Sequence, residues 1–319
     1  MRRLTVNFPI DVAIGKDSVL FILCRNEEGA MVRRLTSEDD DLGSFGSLGT
    51  GDGQFRWPVS IIADRTGDVF VSDEACHQIS RFNADGEFLS KWGDYGVKDG
   101  QLNAPSGIAL DADENIYVAD ALNHRIQKFT KDGKFLLNWG TFGSDDGELN
   151  MPCGITIDEL GDVYVADWRN DRIQKFSADG EFLFTFGKAG SQDSEFRRPS
   201  SVAVDKDGDI YVADTGNNRI QLFNSNGLYV QKFLGDATLS KSARSYMLSN
   251  PMFLRLRDMA TIEPQKFFRS PKSVCVDDND MLYVPDYGSF RVQMYRKDVE
   301  RLTEEQIAAP LEVPSLLTA

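Results

Sequence analysis

The sequence has few histidines, fewer basic than acidic residues, and no long apolar run. Its 319 residues include two histidines and four cysteines, and the formal net charge is −15. The apolar run Val19 to Leu23 is far too short to cross a bilayer, and the start, MRRLTVNFPID, lacks the apolar core of a signal peptide. We therefore expect a soluble, cytoplasmic protein with no membrane partner.

Several classes of site are disfavoured by what is missing. The cysteines Cys24, Cys76, Cys153 and Cys275 have no paired short spacing, so we expect reduced thiols. An acidic chain is poorly suited to nucleic acid, because neutralising phosphates over a broad surface requires lysine and arginine. There is no G-x-S-x-G nucleophile elbow and no glycine-rich phosphate loop. We therefore expect no cofactor.

What the sequence does contain is a regular repeat. Pro58, Pro105, Pro152 and Pro199 recur every 47 residues, and each opens a unit with four short alternating runs. In one unit these runs are SGIALD, NIYVAD, RIQKF and KFLLNW. A unit this small cannot bury its own faces, so neighbouring units must stack and the ring must close. A period of about forty to fifty residues with four strands per unit predicts a β-propeller.

We predict a single all-β domain over residues 1–319, a six-bladed β-propeller with a partly helical insert before its last blade. The expected blades are at about 9–57, 58–104, 105–151, 152–198, 199–235 and 271–319, and the insert is at 236–270. The insert is inferred because Pro271 follows Pro199 by 72 residues. We expect it to cap or flank the channel mouth as a lid or docking surface, because long loops on regular scaffolds are often functional.

The last blade lacks a fourth strand of its own. Either Arg2 to Asn7 or the C-terminal tail must supply that strand if the ring is to close. Val6-Asn7-Phe8-Pro9 aligns with Leu102-Asn103-Ala104-Pro105, which leaves only about five residues before it for a strand. We therefore expect the tail to close the ring.

The passage from the second to the third strand of each unit resembles the NHL repeat. It reads YVADALNHRIQKF at 117–129, YVADWRNDRIQKF at 164–176 and YVADTGNNRIQLF at 211–223, with weaker copies at 70–82 and 283–295. The resemblance covers nearly the whole chain and implies a six-bladed β-propeller. It leaves the function open, because the family includes protein- and RNA-binding modules, extracellular sensor domains and a few lyases.

The resemblance implies that the two histidines are structural residues. His124 occupies the position of the name-giving histidine of the family, and His77 is its equivalent one unit earlier. The peptide-amidating lyases of the family use a histidine-rich zinc centre, which two histidines do not reproduce without carboxylate or thiolate help. We expect no metal site and interpret both histidines as bracing residues.

Two further patterns have structural interpretations. A repeated aspartate is followed five residues later by arginine, as in Asp120 and Arg125, and repetition around the ring indicates a structural pair. The segment Asp205 to Asp209 resembles the start of a calcium loop. Gly216 stands where that loop requires a bidentate glutamate, so we interpret the segment as a turn.

The charges are expected to segregate between the two ends of the ring. The hairpins within blades are acidic, whereas the loops at the other end carry arginine and aromatic residues. We predict that these loop residues bind a ligand: Arg56, Trp57, Trp168, Arg169, Arg197, Arg198, Arg269 and Tyr287. Guanidinium groups bind oxyanions in bidentate geometry, so a carboxylate, a phosphate or an acidic peptide would fit. In the alternative, the arginines pair with acids of the loops, namely Asp52, Asp99, Asp146 and Asp193.

The residues that follow the opening prolines should line the top of the channel. They are Ile10, Val59, Ser106, Cys153, Ser200 and Lys272. Cys153 and Lys272 have nucleophilic potential and, with His77 and His124, are the candidate catalytic residues.

We interpret the protein as a monomeric binding propeller. Its expected partner is a protein, a peptide or an anionic small molecule, held on the loop face around the channel. A lyase or hydrolase with its active site at the channel mouth is the alternative, since the sequence does not decide whether the protein is an enzyme. Single-stranded RNA binding, which the arginines and aromatic residues would permit, is the third interpretation.

Overall fold

The computed structural model describes residues 2–27, 29–235 and 266–297. These residues form an all-β fold in which six four-stranded antiparallel sheets are the blades of a propeller. Short 3-10 helices occur at Lys16–Ser18, Ala121–Asn123, Thr215–Asn217 and Tyr287–Ser289. Within the described ranges, no helix has the length and apolar character needed to span a membrane.

The strands follow the repeat, and blades 1 to 5 take theirs in chain order from the channel outward. They are Pro9–Ile14, Leu20–Arg25, Ala30–Leu35 and Asp41–Phe45 in blade 1; Pro58–Ala63, Val69–Asp73, Gln78–Phe82 and Phe88–Trp92 in blade 2; Pro105–Leu110, Ile116–Asp120, Arg125–Phe129 and Phe135–Trp139 in blade 3; Pro152–Ile157, Val163–Asp167, Arg172–Phe176 and Phe182–Phe186 in blade 4; and Pro199–Val204, Ile210–Asp214, Arg219–Phe223 and Tyr229–Phe233 in blade 5. A short parallel pair, Ser47–Leu48 with Gln54–Phe55, lies in the first inter-blade loop.

The hydrophobic core lies between the blades. Each of the six core clusters contains residues from two adjacent blades, and the cluster of blades 1 and 2 includes Phe21, Val71 and Phe82. The second strand of each blade is covered by neighbours on both faces, which explains why IYVAD is buried throughout at Ile116–Asp120. The ring therefore holds together by blade-to-blade packing, as expected for repeats too small to fold alone.

Blade 6 is closed by the N-terminus. Its strands are Cys275–Val276, Met281–Asp286 and Arg291–Arg296, and its outermost strand is Arg2–Thr5. The N-terminal strand pairs antiparallel with Arg291–Arg296, and buried Val6 anchors it in the cluster between blades 6 and 1. The expectation that the C-terminal tail closes the ring is wrong, because four residues suffice for this strand.

Two predicted segments fall largely outside the description. Residues 236–265 of the insert, with the helices expected there, and residues 298–319 of the tail lie beyond the described residues. The boundaries given for the insert and the last blade remain expectations.

The prediction that the repeated aspartate and arginine form a structural pair is confirmed. In blade 3 the Arg125 Nε donates to Asp120 Oδ2 at 2.9 Å, and both side chains are buried. Asp120 also accepts the backbone N–H of Asn103, and Arg125 donates to the carbonyl oxygens of Lys98 and Gln101. The pair therefore fastens the preceding inter-blade loop to its blade. It recurs at Asp167 and Arg172, Asp214 and Arg219, and Asp286 and Arg291.

The segment resembling a calcium loop is a hairpin turn, as predicted. Asp205 Oδ1 accepts the backbone N–H groups of Asp207 and Asp209. The Lys297 ammonium lies 2.7 Å from Asp205 and 2.9 Å from Asp207, so a lysine neutralises this group of carboxylates.

Candidate functional site at one end of the channel

The first strands of all six blades enclose a cavity of 780 Å³ along the propeller axis. The residues that follow the opening prolines all lie on its wall, which confirms the prediction for them: Ile10, Val59, Ser106, Cys153, Ser200 and Lys272. A cavity of this size is within the range of small-molecule sites, about 300–1,000 Å³.

A second set of residues surrounds the same end of the channel, which we call the channel mouth. In blades 2 to 6 it is the residue directly after the repeated aspartate. In blade 1 it is the residue after Cys24, which occupies the position of that aspartate. Five of these residues line the cavity: Arg25, Glu74, Ala121, Trp168 and Thr215. The sixth, Tyr287, lies with its ring centroid 5.6 Å from the Lys272 Nζ.

The sequence analysis missed Arg25 and Glu74, although a signal was present. The position after the repeated aspartate differs in every unit, while the residues before it repeat. A position that varies inside an otherwise regular unit is free of the structural role that keeps its neighbours alike. Blade 1 hid this alignment, because Cys24 replaces the aspartate before Arg25.

Arg25 is held rigidly beside the mouth. Its guanidinium carbon lies 4.0 Å from the Trp57 ring centroid, and its Nη1 donates to the Pro58 carbonyl oxygen at 2.7 Å. A stacked, hydrogen-bonded guanidinium is pre-organised, so little side-chain entropy is lost when it binds a carboxylate or phosphate.

Glu74, on the adjacent blade, has an unusual acidity. Burial raises the pKa of its carboxyl to about 7, although the positive charge of Arg25 lowers it. The Arg25 and Glu74 side chains interact electrostatically but do not form an ion pair with each other. At neutral pH the Glu74 carboxyl is therefore divided between its protonated and ionised forms.

Lys272 and Cys153 also line the cavity, and burial shifts the pKa values of their side chains in opposite directions. Burial, and then the positive charge of Arg25, lowers the pKa of the Lys272 amine. Burial raises the pKa of the Cys153 thiol to about 11, and its Sγ lies 3.4 Å from Ser106 Oγ in a hydrogen bond. Of the two candidate nucleophiles, Lys272 is activated and Cys153 is not.

Three further carboxylates line the cavity, those of Asp11, Asp277 and Asp278. Asp11 Oδ2 accepts hydrogen bonds from Ser60 Oγ and the Ile61 N–H, each at 2.8 Å, and burial raises its pKa. The Ser60 and Ser201 hydroxyls accept a backbone N–H from the next blade in the same way, so Asp11 joins blade 1 to blade 2.

The predicted arginines surround the mouth but do not line it. The backbone N–H groups of Arg56, Arg197 and Arg269 donate to the repeated aspartates of their blades, which puts the three residues in register. Their side chains are exposed, as are those of Arg169 and Arg198. Trp57 and Trp168 do line the cavity. We call the five exposed arginines the arginine rim: Arg56, Arg169, Arg197, Arg198 and Arg269.

The alternative in which these arginines pair with loop acids is wrong where it can be checked. Asp52 pairs with Lys91 at 3.0 Å and Asp193 pairs with Lys232 at 2.7 Å. Asp99 lies 3.8 Å from Arg125. In the described part of the chain, arginine ion pairs involve other residues only: Arg33, Arg34, Arg81, Arg125, Arg172, Arg219 and Arg291.

Both histidines are bracing residues that do not reach the channel. His77 Nδ1 accepts the backbone N–H of Ala104 at 3.0 Å, and His124 Nδ1 accepts that of Met151 at 3.1 Å. Asp171 performs the same task in the next blade by accepting the N–H of Arg198. A carboxylate replaces the imidazole there, so the position requires an acceptor rather than a titratable ring.

A metal site does not emerge from the described side chains. Across residues 2–27, 29–235 and 266–297, no group of three or more His, Cys, Asp and Glu is arranged to hold a metal ion.

Comparison with known proteins agrees with the geometry. A family model described as NHL repeat matches residues 196–223, and one described as SMP-30/Gluconolactonase/LRE-like region matches residues 62–189. The chain is an NHL-type six-bladed β-propeller. No curated protein matches its sequence.

Solved structures resemble this propeller in fold alone. A gluconolactonase from Xanthomonas campestris has a TM-score of 0.60 and 15% identity, over 91% of this chain and 86% of that one. A virginiamycin B lyase from Staphylococcus aureus has a TM-score of 0.58 and 14% identity, over 91% of this chain and 97% of that one. At such identities the similarity extends to the propeller and not to its chemistry.

Proposed function

We propose that the propeller binds a small anionic molecule, a carboxylate or a phosphate, at the channel mouth. The observation that carries the proposal is that Arg25 and Lys272 adjoin the cavity and form no ion pair among the described residues. Both side chains are half-buried, and a cation withdrawn from water normally has a paired anion. A ligand oxyanion would supply the missing partner.

The surroundings of the mouth support an anionic ligand. The arginine rim places positive charge on one face of a chain whose net charge is −15, so the local field there is opposite to the average. Such a field attracts anions towards the cavity. Trp57 and Trp168, from blades 2 and 4, offer flat apolar surfaces to the rest of the ligand.

A small ligand is better supported than a protein docked on the loop face. The half-buried charged groups Arg25, Glu74 and Lys272 converge on a cavity of 780 Å³ rather than on a flat surface. Protein or peptide docking would rest mainly on the exposed arginine rim, where Arg169 and Arg198 share the Trp168 ring as an apolar contact.

Titration calorimetry with citrate and with inorganic phosphate tests the proposal. We expect Lys272→Met and Arg25→Met each to weaken binding about tenfold or more, since hydrogen bonds to charged groups contribute about 1.5–3 kcal/mol. Lys206→Met is the matched control, because Lys206 lies on a hairpin at the other end of the channel and pairs with Asp280. Equal affinities in all four proteins, or no binding by the wild type, would contradict the proposal.

A lyase or hydrolase is the second candidate, and Glu74 favours it. A carboxyl with a pKa of about 7 is suited to general acid–base catalysis at neutral pH. The similar structures include a lyase and a gluconolactonase, which extends the candidate substrates to lactones. If Glu74→Gln keeps full turnover of any substrate found for the wild type, this candidate is wrong.

A further inference from the structure

Lys272 differs from other half-buried lysines of the described residues in having no carboxylate partner. The ammonium groups of Lys91, Lys128, Lys131, Lys175 and Lys297 all lie within ion-pair distance of carboxylates. Among the described residues, the Lys272 Nζ lies over the Tyr287 ring and makes no ion pair, and it adjoins a cavity large enough for a small molecule.

The environment of Lys272 increases the fraction of neutral, nucleophilic amine. Burial and the nearby Arg25 both disfavour its ammonium form. A lysine that is desolvated and next to another cation is the arrangement that activates amines towards carbonyl carbon. An arginine would provide a positive charge equally well. A lysine with a lowered pKa can also act as a nucleophile, so it indicates a reaction as well as anion binding.

The charged groups of the mouth are arranged along one side. Lys272, Arg25 and Glu74 come from blades 6, 1 and 2, which are consecutive in the ring. A ligand that places a carboxylate on Arg25 therefore brings its adjacent carbon towards Lys272, with Glu74 on the far side of Arg25. The geometry suits a short molecule with two neighbouring functional groups.

We propose that the mouth binds oxo acids, with the carboxylate on Arg25 and the neighbouring carbonyl carbon bonded to the Lys272 Nζ as an imine. This inference rests on the anion site proposed above and adds the substrate class. Cys153 is the competing nucleophile at the mouth. Its thiol stays protonated at neutral pH, because burial raises its pKa to about 11.

The step balances without any oxidant or reductant. The neutral amine forms the C–N bond and the carbonyl C–O double bond becomes a hydroxyl, giving a carbinolamine. The nitrogen loses a proton to solvent water, and the hydroxyl takes up a proton from solvent and leaves as a water molecule. The overall change is an ammonium group and a carbonyl giving a protonated imine and water.

Reductive trapping of the intact protein tests the inference. The protein is incubated with glyoxylate and cyanoborohydride at neutral pH, and carboxymethyl-lysine is located by peptide mass mapping. We expect Lys272 to be labelled faster than Lys188 in the same sample, since a lowered amine pKa gives more free amine and Arg25 holds the carboxylate of glyoxylate beside it. Lys188 is the internal control, because it is exposed and lies outside the cavity.

Two further arms test the role of the carboxylate. Acetaldehyde, which has no carboxylate, should show a smaller preference for Lys272 over Lys188 than glyoxylate does, and excess citrate should suppress labelling of Lys272 by glyoxylate. Arg25→Met should remove the preference while leaving Lys188 labelling unchanged.

The outcomes separate this inference from the anion site. Lys272→Arg retains the positive charge, so it should keep citrate binding within about threefold while losing the trapped product. Equal labelling of Lys272 and Lys188 in a wild type that binds citrate would overturn the imine and leave the anion site standing. A wild type that binds no citrate, yet labels Lys272 equally with acetaldehyde and glyoxylate, would overturn both.

Discussion

Single residues at equivalent positions decide the chemistry of this propeller. The residues that brace the ring repeat from blade to blade, whereas the residues that surround the mouth differ in every blade. The repeated arginine of blades 3 to 6 is buried in a structural pair, as at Arg125. Arg25, which has no counterpart in the other blades, is the arginine that reaches the cavity.

Glu74→Gln should stabilise the protein in a pH-dependent way. Burial raises the pKa of Glu74 from an ordinary 4.5 to about 7. Between those values the folded protein holds a proton that the unfolded chain has lost, so the free energy of unfolding falls as the pH rises through this window. At pH 8 the wild type carries the full cost of a buried charge. We expect the variant to be about 2 kcal/mol more stable at pH 8 and unchanged at pH 4.

Urea unfolding at the two pH values measures this difference. The matched control is Glu181→Gln, because Glu181 is exposed on a hairpin. A stability gain of the same size at pH 4, or a loss at pH 8, would show that Glu74 is not held as an acid in the mouth.

At the scale of elements, the aspartate–arginine pair is the most repeated connection. Arg172→Met leaves the buried Asp167 carboxylate without its cationic partner, and breaking such a pair costs about 3–5 kcal/mol. We expect that loss in chemical unfolding, with citrate binding unchanged because the pair lies outside the cavity. Arg34→Met, which removes an exposed pair with Asp85, should change stability by less than about 0.5 kcal/mol. Equal effects of the two variants would contradict the structural role.

The strands were largely predictable from the sequence because they are local. The 47-residue spacing of prolines gives the blades, and the residue after each proline falls on the channel wall. The positions of the side chains at the mouth were not predictable in the same way. Whether Arg197 points into the cavity or away from it depends on the inter-blade loop, and periodicity carries no information about that.

The prediction of the strand that closes blade 6 was wrong for a similar reason, because that strand depends on long-range pairing. The pairing of Leu4 with Val292 joins two ends of the chain that share no local signal. The run RRLT has no clear alternation, so only its place in the assembled ring makes it a strand. Choosing the N-terminus over the tail would have required knowing how the two segments lie in the assembled ring.

For the whole molecule, the two ends of the channel differ in charge. Lysines neutralise part of the hairpin end, as where Lys131 contacts Asp64 and Glu114. The arginine rim at the other end has no ion pairs among the described residues. Part of the charge at the hairpin end is therefore neutralised by ion pairs, whereas the other end has cations available to a ligand.

Ring closure by the N-terminus makes the first few residues essential to the whole molecule. Deleting residues 2–5 removes the outermost strand of blade 6 and leaves Arg291–Arg296 as an open edge. Losing its hydrogen bonds, at about 1 kcal/mol each, should lower Tm by roughly 5 °C or more and promote association through the exposed edge.

Calorimetry and light scattering measure the two effects. Because the pairing is made by backbone groups, replacing the four residues with Thr-Thr-Val-Thr should restore both Tm and the oligomeric state of the wild type, whereas Gly-Gly-Gly-Gly should restore neither fully. A deletion that leaves Tm unchanged would mean that the ring does not depend on this strand. The coupling of blades 6 and 1, and with it the adjacent positions of Lys272 and Arg25, would then need another source.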